Sequence, residues 1–147
     1  MVVINRIRAI YAAVLCVLLL FSGCNRSEKS TSYKNYSEAQ KSGDIERGWL
    51  PDFLPNSATQ IIESHNVEIN AMRVEFKFKR NDLDFLKQFN EASDSEKTKI
   101  IDRIKRGGWS RLGSSGNLRA FSRKDKALDG YLVLDSKNEV AQYWEEP

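Results

Sequence analysis

Few side chains in this sequence of 147 residues have the chemistry to act on anything, and their spacing narrows the choice. There are two cysteines, Cys16 and Cys24, and a single histidine, His65. A metal site would need His65 together with Glu63 and Glu68, a set without the spacing of a zinc or iron centre, so no metal is expected. A Ser-His-acid triad would have to use His65 as its base, and nothing in the nearby sequence supplies the nucleophile. The acidic pairs Asp82 with Asp84 and Glu145 with Glu146 have the side chains for acid/base work. Among 20 acids and 23 bases, however, they read as solvated surface. The run Gly108 to Ser115 imitates a phosphate loop but lacks the lysine and follows a helix pattern instead of a strand. No catalytic residue and no cofactor are therefore expected, and the chain reads as no enzyme.

Cys24 is different, because the residues ahead of it explain a thiol at that place. Arg6 and Arg8 precede an uninterrupted apolar run of 13 residues, Ala9 to Phe21. That pattern has the grammar of a secretory signal. A bilayer span takes about 20 apolar residues, so the run is too short to remain as a membrane helix. Leu20-Phe21-Ser22-Gly23-Cys24 resembles the lipobox of bacterial lipoproteins, with Phe21 bulkier than the usual leucine. The resemblance implies cleavage between Gly23 and Cys24, a diacylglyceryl thioether on the Cys24 sulfur and an acylated amino group. Two or three acyl chains anchor stably where one holds only marginally. The alternatives are cleavage near Gly23 without lipid, or an uncleaved anchor. The lipid reading places the protein in the bacterial cell envelope, on the periplasmic face of the outer membrane if the cell is Gram-negative, since Asn25 is not the aspartate of inner-membrane retention.

Charge and cysteine usage agree with export. Losing Arg6 and Arg8 with the signal leaves the remaining chain at a net charge near +1. That is far from the basic balance of a nucleic-acid binder. With Cys16 removed and Cys24 acylated, no disulfide can form, and stability must come from packing. The expected organisation is a signal over 1–23, an acylated cysteine and polar tether over 24–37, and one globular domain over 38–147.

Within that domain the clearest strand is Met72 to Arg80, where Met72, Val74, Phe76 and Phe78 alternate with charged residues. Ser37 to Gly43 reads as a turn or two of helix. Asn56 or Ser57 would cap a short helix carrying Ile61 and Ile62, and Asp82 to Asn90 a further one. Ser93 with Glu96 forms a capping box ahead of Ile100, Ile101 and Ile104. Leu118 to Arg123, Tyr131 to Leu134 and Glu139 to Trp144 read as an antiparallel meander. The expected fold class is α+β, an antiparallel sheet of about four strands with two or three helices on one face.

The segment Asp44 to Pro55, DIERGWLPDFLP, has too many prolines for helix or central strand and too many apolar side chains to stay in water. It is expected to pack irregularly over the core. Trp49, Phe53 and Trp109, two of them next to glycines, are the candidate surface for a partner in the envelope, so a binding or scaffolding domain is expected. The alternatives are an immunity-type or inhibitor lipoprotein against a toxin or cell-wall hydrolase, and a weak hydrolase on envelope substrates. Arg119 and Arg123, of like strand parity, are a candidate basic strip. The run Gly48-Trp49-Leu50-Pro51-Asp52-Phe53-Leu54-Pro55-Asn56-Ser57-Ala58-Thr59 is followed by Ile61, Glu63, His65-Asn66 and Phe76-x-Phe78. This pattern resembles the YbbD head domain family of small bacterial proteins, whose members carry a GW-x-P-x-x-L-P-x-S-A element and often a lipoprotein signal. The resemblance covers residues 38–80 closely and the rest loosely. It implies location and fold, and neither activity nor cofactor.

Overall fold

The computed structural model describes residues 28–106, 112, 117–124 and 128–146. Gly23, Cys24 and Trp109 lie outside the described residues, as does most of the run Gly108 to Ser115. In chain order the elements are β1 (Glu28–Asn35), α1 (Tyr36–Ser42), β2 (Thr59–Asn66), β3 (Ala71–Lys77), a 3-10 turn (Asp84–Gln88), β4 (Asn90–Glu91), α2 (Asp94–Arg106), β5 (Leu118–Lys124), β6 (Asp129–Asp135) and β7 (Val140–Glu146). The strands form one sheet of seven in the order β1-β2-β3-β7-β6-β5-β4, every pair antiparallel. The four-stranded sheet expected from the sequence is thus corrected to seven strands. The two short helices lie on opposite faces instead of one.

Three strands account for the difference. β1 occupies residues that read as tether, because only Tyr33 of its eight residues is buried. An edge strand of this kind is held by main-chain pairing with β2 and leaves no apolar alternation to find. β2 stands where a short helix was expected. Ile61, Glu63 and His65 share one face at a period of two, but a buried carboxylate and imidazole disguise the pattern. The strand also carries a bulge, with Gln60 at φ 50° and a register shift between Thr59 and Ile62. β4 is two residues long and below any periodicity signal. The helix foreseen over 82–90 is instead the 3-10 turn, which tucks Phe85 edge-on against Phe76 and Phe78 at 5.7 and 5.8 Å.

Other local rules held. In α1 the cap is Asn35, whose side chain accepts from the Glu38 amide at 3.0 Å, and Gly43 ends the helix at φ 77°. In α2 the Glu96 carboxylate accepts from both the amide and the hydroxyl of Ser93, at 3.0 and 2.7 Å. The meander of β5, β6 and β7 falls where alternation placed it.

Alternation sorts the sheet into two cores. Ile61, Val74, Phe76, Phe121, Leu132, Leu134, Ala141 and Tyr143 pack on one face beneath α1, the 3-10 turn and the segment 44–58. On the other, Leu118, Ala120 and Val133 meet Ile100, Ile101 and Ile104 of α2. The proline-rich segment is a roof. Leu50, Phe53 and Leu54 are all buried in the first core, and Phe53 sits edge-on to Phe89 and Tyr143 at 4.9 and 4.8 Å.

Candidate functional site

The roof is fastened at one residue. The carbonyl of Asp44 accepts from the amides of Trp49 and Leu50 at 2.9 and 3.1 Å, closing a loop in which Gly48 takes φ 75°. That turn sends Leu50 into the core and Trp49 outward, 40% exposed. The Asp44 carboxylate, itself buried, accepts from the Tyr33 hydroxyl, from Ser42 Oγ at 2.8 Å and from the Arg47 guanidinium. Burial pushes the Asp44 carboxyl up, but the bonds from Tyr33, Arg47 and Ser42 outweigh it and hold the group below its ordinary value. Burial first, and then the bond to Asp44, push the Tyr33 hydroxyl up to about 12, so it is a permanent donor near neutrality.

Arg47 lies over the Trp49 ring at 4.8 Å, and His65 is stacked on Trp49 with centroids 4.8 Å apart and planes inclined by 27°. His65 Nδ1 meets Glu63 Oε1 at 2.5 Å. Glu63 is 1% exposed, and burial raises its pKa more than the His65 bond lowers it. His65 Nε2 is shut off from solvent and has no hydrogen-bond partner among the described residues. The lone histidine is therefore a buried, stacked and paired side chain whose free nitrogen faces no solvent.

Beside this stack the roof stops short of the end of the sheet. The last cross-strand row runs Lys29, His65, Met72, Glu145, Gly130, Arg123 through the registers of six strands. Between that row and the roof is a cleft of about 320 Å³. Ile45, Leu50 and Pro51 form its roof side, Met72 and Tyr143 its floor, and Glu46, Asp52, Arg123 and Glu145 its rim. Tyr143 donates to Glu145 at 2.7 Å and lies across Gly130, where a Cβ would come within 2.5 Å of its hydroxyl oxygen. Glycine at 130 is thus required by the close approach of the ring. Arg123 faces Asp52 across the cleft at 3.6 Å.

The candidates named from sequence separate cleanly. Trp49 is exposed beside the cleft, whereas Phe53 is 3% exposed inside the core and cannot meet a partner, so it leaves the proposed surface. The reason is parity: the loop closed on Asp44 turns Trp49 outward, and the following LPDFLP run turns Phe53 onto Phe89 and Tyr143. Glu145 and Glu146 are not a pair, since Glu146 meets Arg103 and Glu145 meets Tyr143. Asp84 is bridged to Lys87 at 2.8 Å. Arg119 and Arg123 share a face, but Arg119 is held bidentate by Glu91 at 2.9 Å and Arg123 faces Asp52, so the basic strip is largely neutralised. Among the described residues no three His, Cys, Asp or Glu side chains are grouped to hold a metal ion. No described helix is long and apolar enough to cross a membrane. Sequence reasoning passed over Tyr33, Asp44 and Arg47; the one available signal was an acid placed shortly before Gly-Trp.

The fold is an antiparallel α+β sheet covered on both faces, and the site is a stacked aromatic and an adjoining mixed cleft. Residues 28–77 match the model of the YbbD head domain, about a third of the chain. The match spans β1, α1, the roof, β2 and β3, and so includes Tyr33, Asp44, Arg47, Trp49, Glu63 and His65. The far wall of the cleft, Gly130 and Tyr143, lies beyond it. No curated protein and no solved structure matches the chain.

Proposed function

We propose that this is a lipid-anchored envelope protein whose domain binds a partner without catalysis, through Trp49 and the cleft beside it. The observation that carries the reading is the disposition of His65. The one imidazole in the chain is closed under Trp49 and bonded to Glu63, a poor arrangement for a base that must reach substrate within hydrogen-bond distance. The same arrangement stiffens Trp49, with His65 stacked on it and Arg47 over its ring, and still leaves the residue 40% exposed for contact. The lipobox-like residues before Cys24 support the anchor. A hydrolase acting on envelope substrates has no comparable support.

The test is co-purification from detergent-solubilised membranes of the native host, comparing the intact protein with Trp49→Ala and Cys24→Ser forms. The expected result is a specific protein captured by the intact form, reduced at least tenfold by Trp49→Ala, with Cys24→Ser folded but released from membranes; tenfold corresponds to about 1.4 kcal/mol, within reach of one aromatic contact. Equal capture by Trp49→Ala would remove this surface. Persistent membrane attachment of signal-cleaved Cys24→Ser would remove the lipid anchor.

A further inference from the structure

We infer that the hairpin joining β2 to β3 seats in the lipid surface, so that the domain stands on the bilayer by its Val67 and Ile69 tip. The inference rests on the acylated Cys24 of the proposed function. β1 begins at Glu28, and Glu28 is paired with Asn66, the last residue of β2 before the hairpin turn. Cys24 precedes Glu28 by four residues, a reach of at most about 14 Å. One strand spacing of about 4.8 Å then separates Glu28 from Asn66. The tip, up to two residues beyond the Asn66–Ala71 pair, is thereby confined to within about 30 Å of the anchored sulfur. The opposite end of the sheet, at the β6–β7 turn, is a further strand length of roughly 20 Å away.

The end so confined is also the apolar end. Val67 is 66% exposed and Ile69 58% exposed, and with Trp49 they make three of the four large apolar side chains exposed among the described residues. Trp49 belongs to this end because it stacks on His65, the residue one position before Asn66. A turn normally shows water Gly, Asn, Asp or Ser. Here the polar residues hold the shape instead: the Asn66 side chain accepts from the amides of Glu68 and Ile69 at 3.0 and 3.4 Å, and Asn70 closes the turn at φ 49°. Two β-branched residues are held outward on a fixed turn, with an aromatic behind them of the type that favours headgroup depth. The charged residues at this end are mixed, Lys29, Arg47, Arg73, Arg123 and Lys124 against Glu28, Glu46, Glu68, Asp129, Glu145 and Glu146. Seating therefore depends on apolar insertion and not on anionic lipid.

The experiment uses the full acylated protein in phosphatidylcholine vesicles. With Cys24 acylated and Cys16 removed with the signal, a Val67→Cys or Ile69→Cys substitution supplies a lone thiol for an environment-sensitive fluorophore. Lys137→Cys, in the β6–β7 turn, is the reference. The expected result is blue-shifted emission at 67 and 69, quenched several-fold more than at 137 by lipids spin-labelled near the headgroup, and little changed by added phosphatidylglycerol. Quenching at 67 and 69 no greater than at 137, on protein that floats with the vesicles, overturns the inference and leaves the anchor intact. Protein whose Cys24 carries no acyl mass, and which does not float, overturns both.

Discussion

Replacing Asp44 by Asn keeps the shape of the residue that fastens the roof and removes only its charge. Asp44 accepts side-chain bonds from Tyr33, Ser42 and Arg47. A bond to a charged group contributes about 1.5–3 kcal/mol against about 0.5–1.5 for a neutral pair. Neutralisation therefore costs about 1 kcal/mol for the buried donor Tyr33, and less for the exposed Ser42 and Arg47. The amide of Asn further turns one donor toward another. Asp44→Asn is expected to lower unfolding stability by about 1–2 kcal/mol at neutral pH, an appreciable share of the 5–15 typical of a domain. The sign with pH follows from the lowered carboxyl. The contribution is fully present above the ordinary value of 3.8 and is lost as pH falls through the lower native value. Urea unfolding followed by tryptophan fluorescence should show a constant gap between wild type and variant from neutrality to about pH 5, closing below it. A double-mutant cycle with Tyr33→Phe should be strongly non-additive. A variant within about 0.5 kcal/mol of wild type, or a gap that acid leaves unchanged, would refute the account of Asp44 as the fastening.

Gly130→Ala would place its Cβ 2.5 Å from the Tyr143 hydroxyl, and since Tyr143 is buried and bonded to Glu145, the ring cannot swing away freely. A loss of about 1–3 kcal/mol in urea unfolding is expected, largely relieved in the Tyr143→Phe background. Ser93→Ala removes the bond its hydroxyl donates to the Glu96 carboxylate at the start of α2 while keeping the amide's, and should cost about 1 kcal/mol or less, read as reduced helical circular dichroism and a lower unfolding midpoint.

How far the sequence discloses this structure depends on how each strand is stabilised. β3 and the meander bury apolar side chains at alternate positions, and a period of two is readable at once. β1 has only Tyr33 to show, and its stability comes from main-chain bonds to β2 that leave no trace in residue type. In β2 the alternating buried set is Ile61, Glu63, His65, and a reader scoring hydrophobicity sees Ile61-Ile62 and infers a helix. The misreading falls on the site itself, because the polar pair is what the roof stacks upon. Trp49 and Phe53 look alike as apolar residues in an irregular stretch. Only the loop closed on the Asp44 carbonyl decides that one faces water and the other the core.

The order of strands bears on how the protein is made. β7 lies between β3 and β6, so the middle of the sheet is supplied by the seventh strand to leave the ribosome. Until residues 140–146 emerge, β1 to β3 and β4 to β6 are two half-sheets, each with an unpaired edge where β7 belongs. Such non-local closure is slow and leaves the nascent chain exposed to wrong strand partners. The charged and polar alternation of β3, with Arg73, Glu75 and Lys77 between its apolar residues, keeps that waiting edge from being a uniformly apolar template. A chain cut short of β7 would be expected to fail as a whole rather than lose only its last strand.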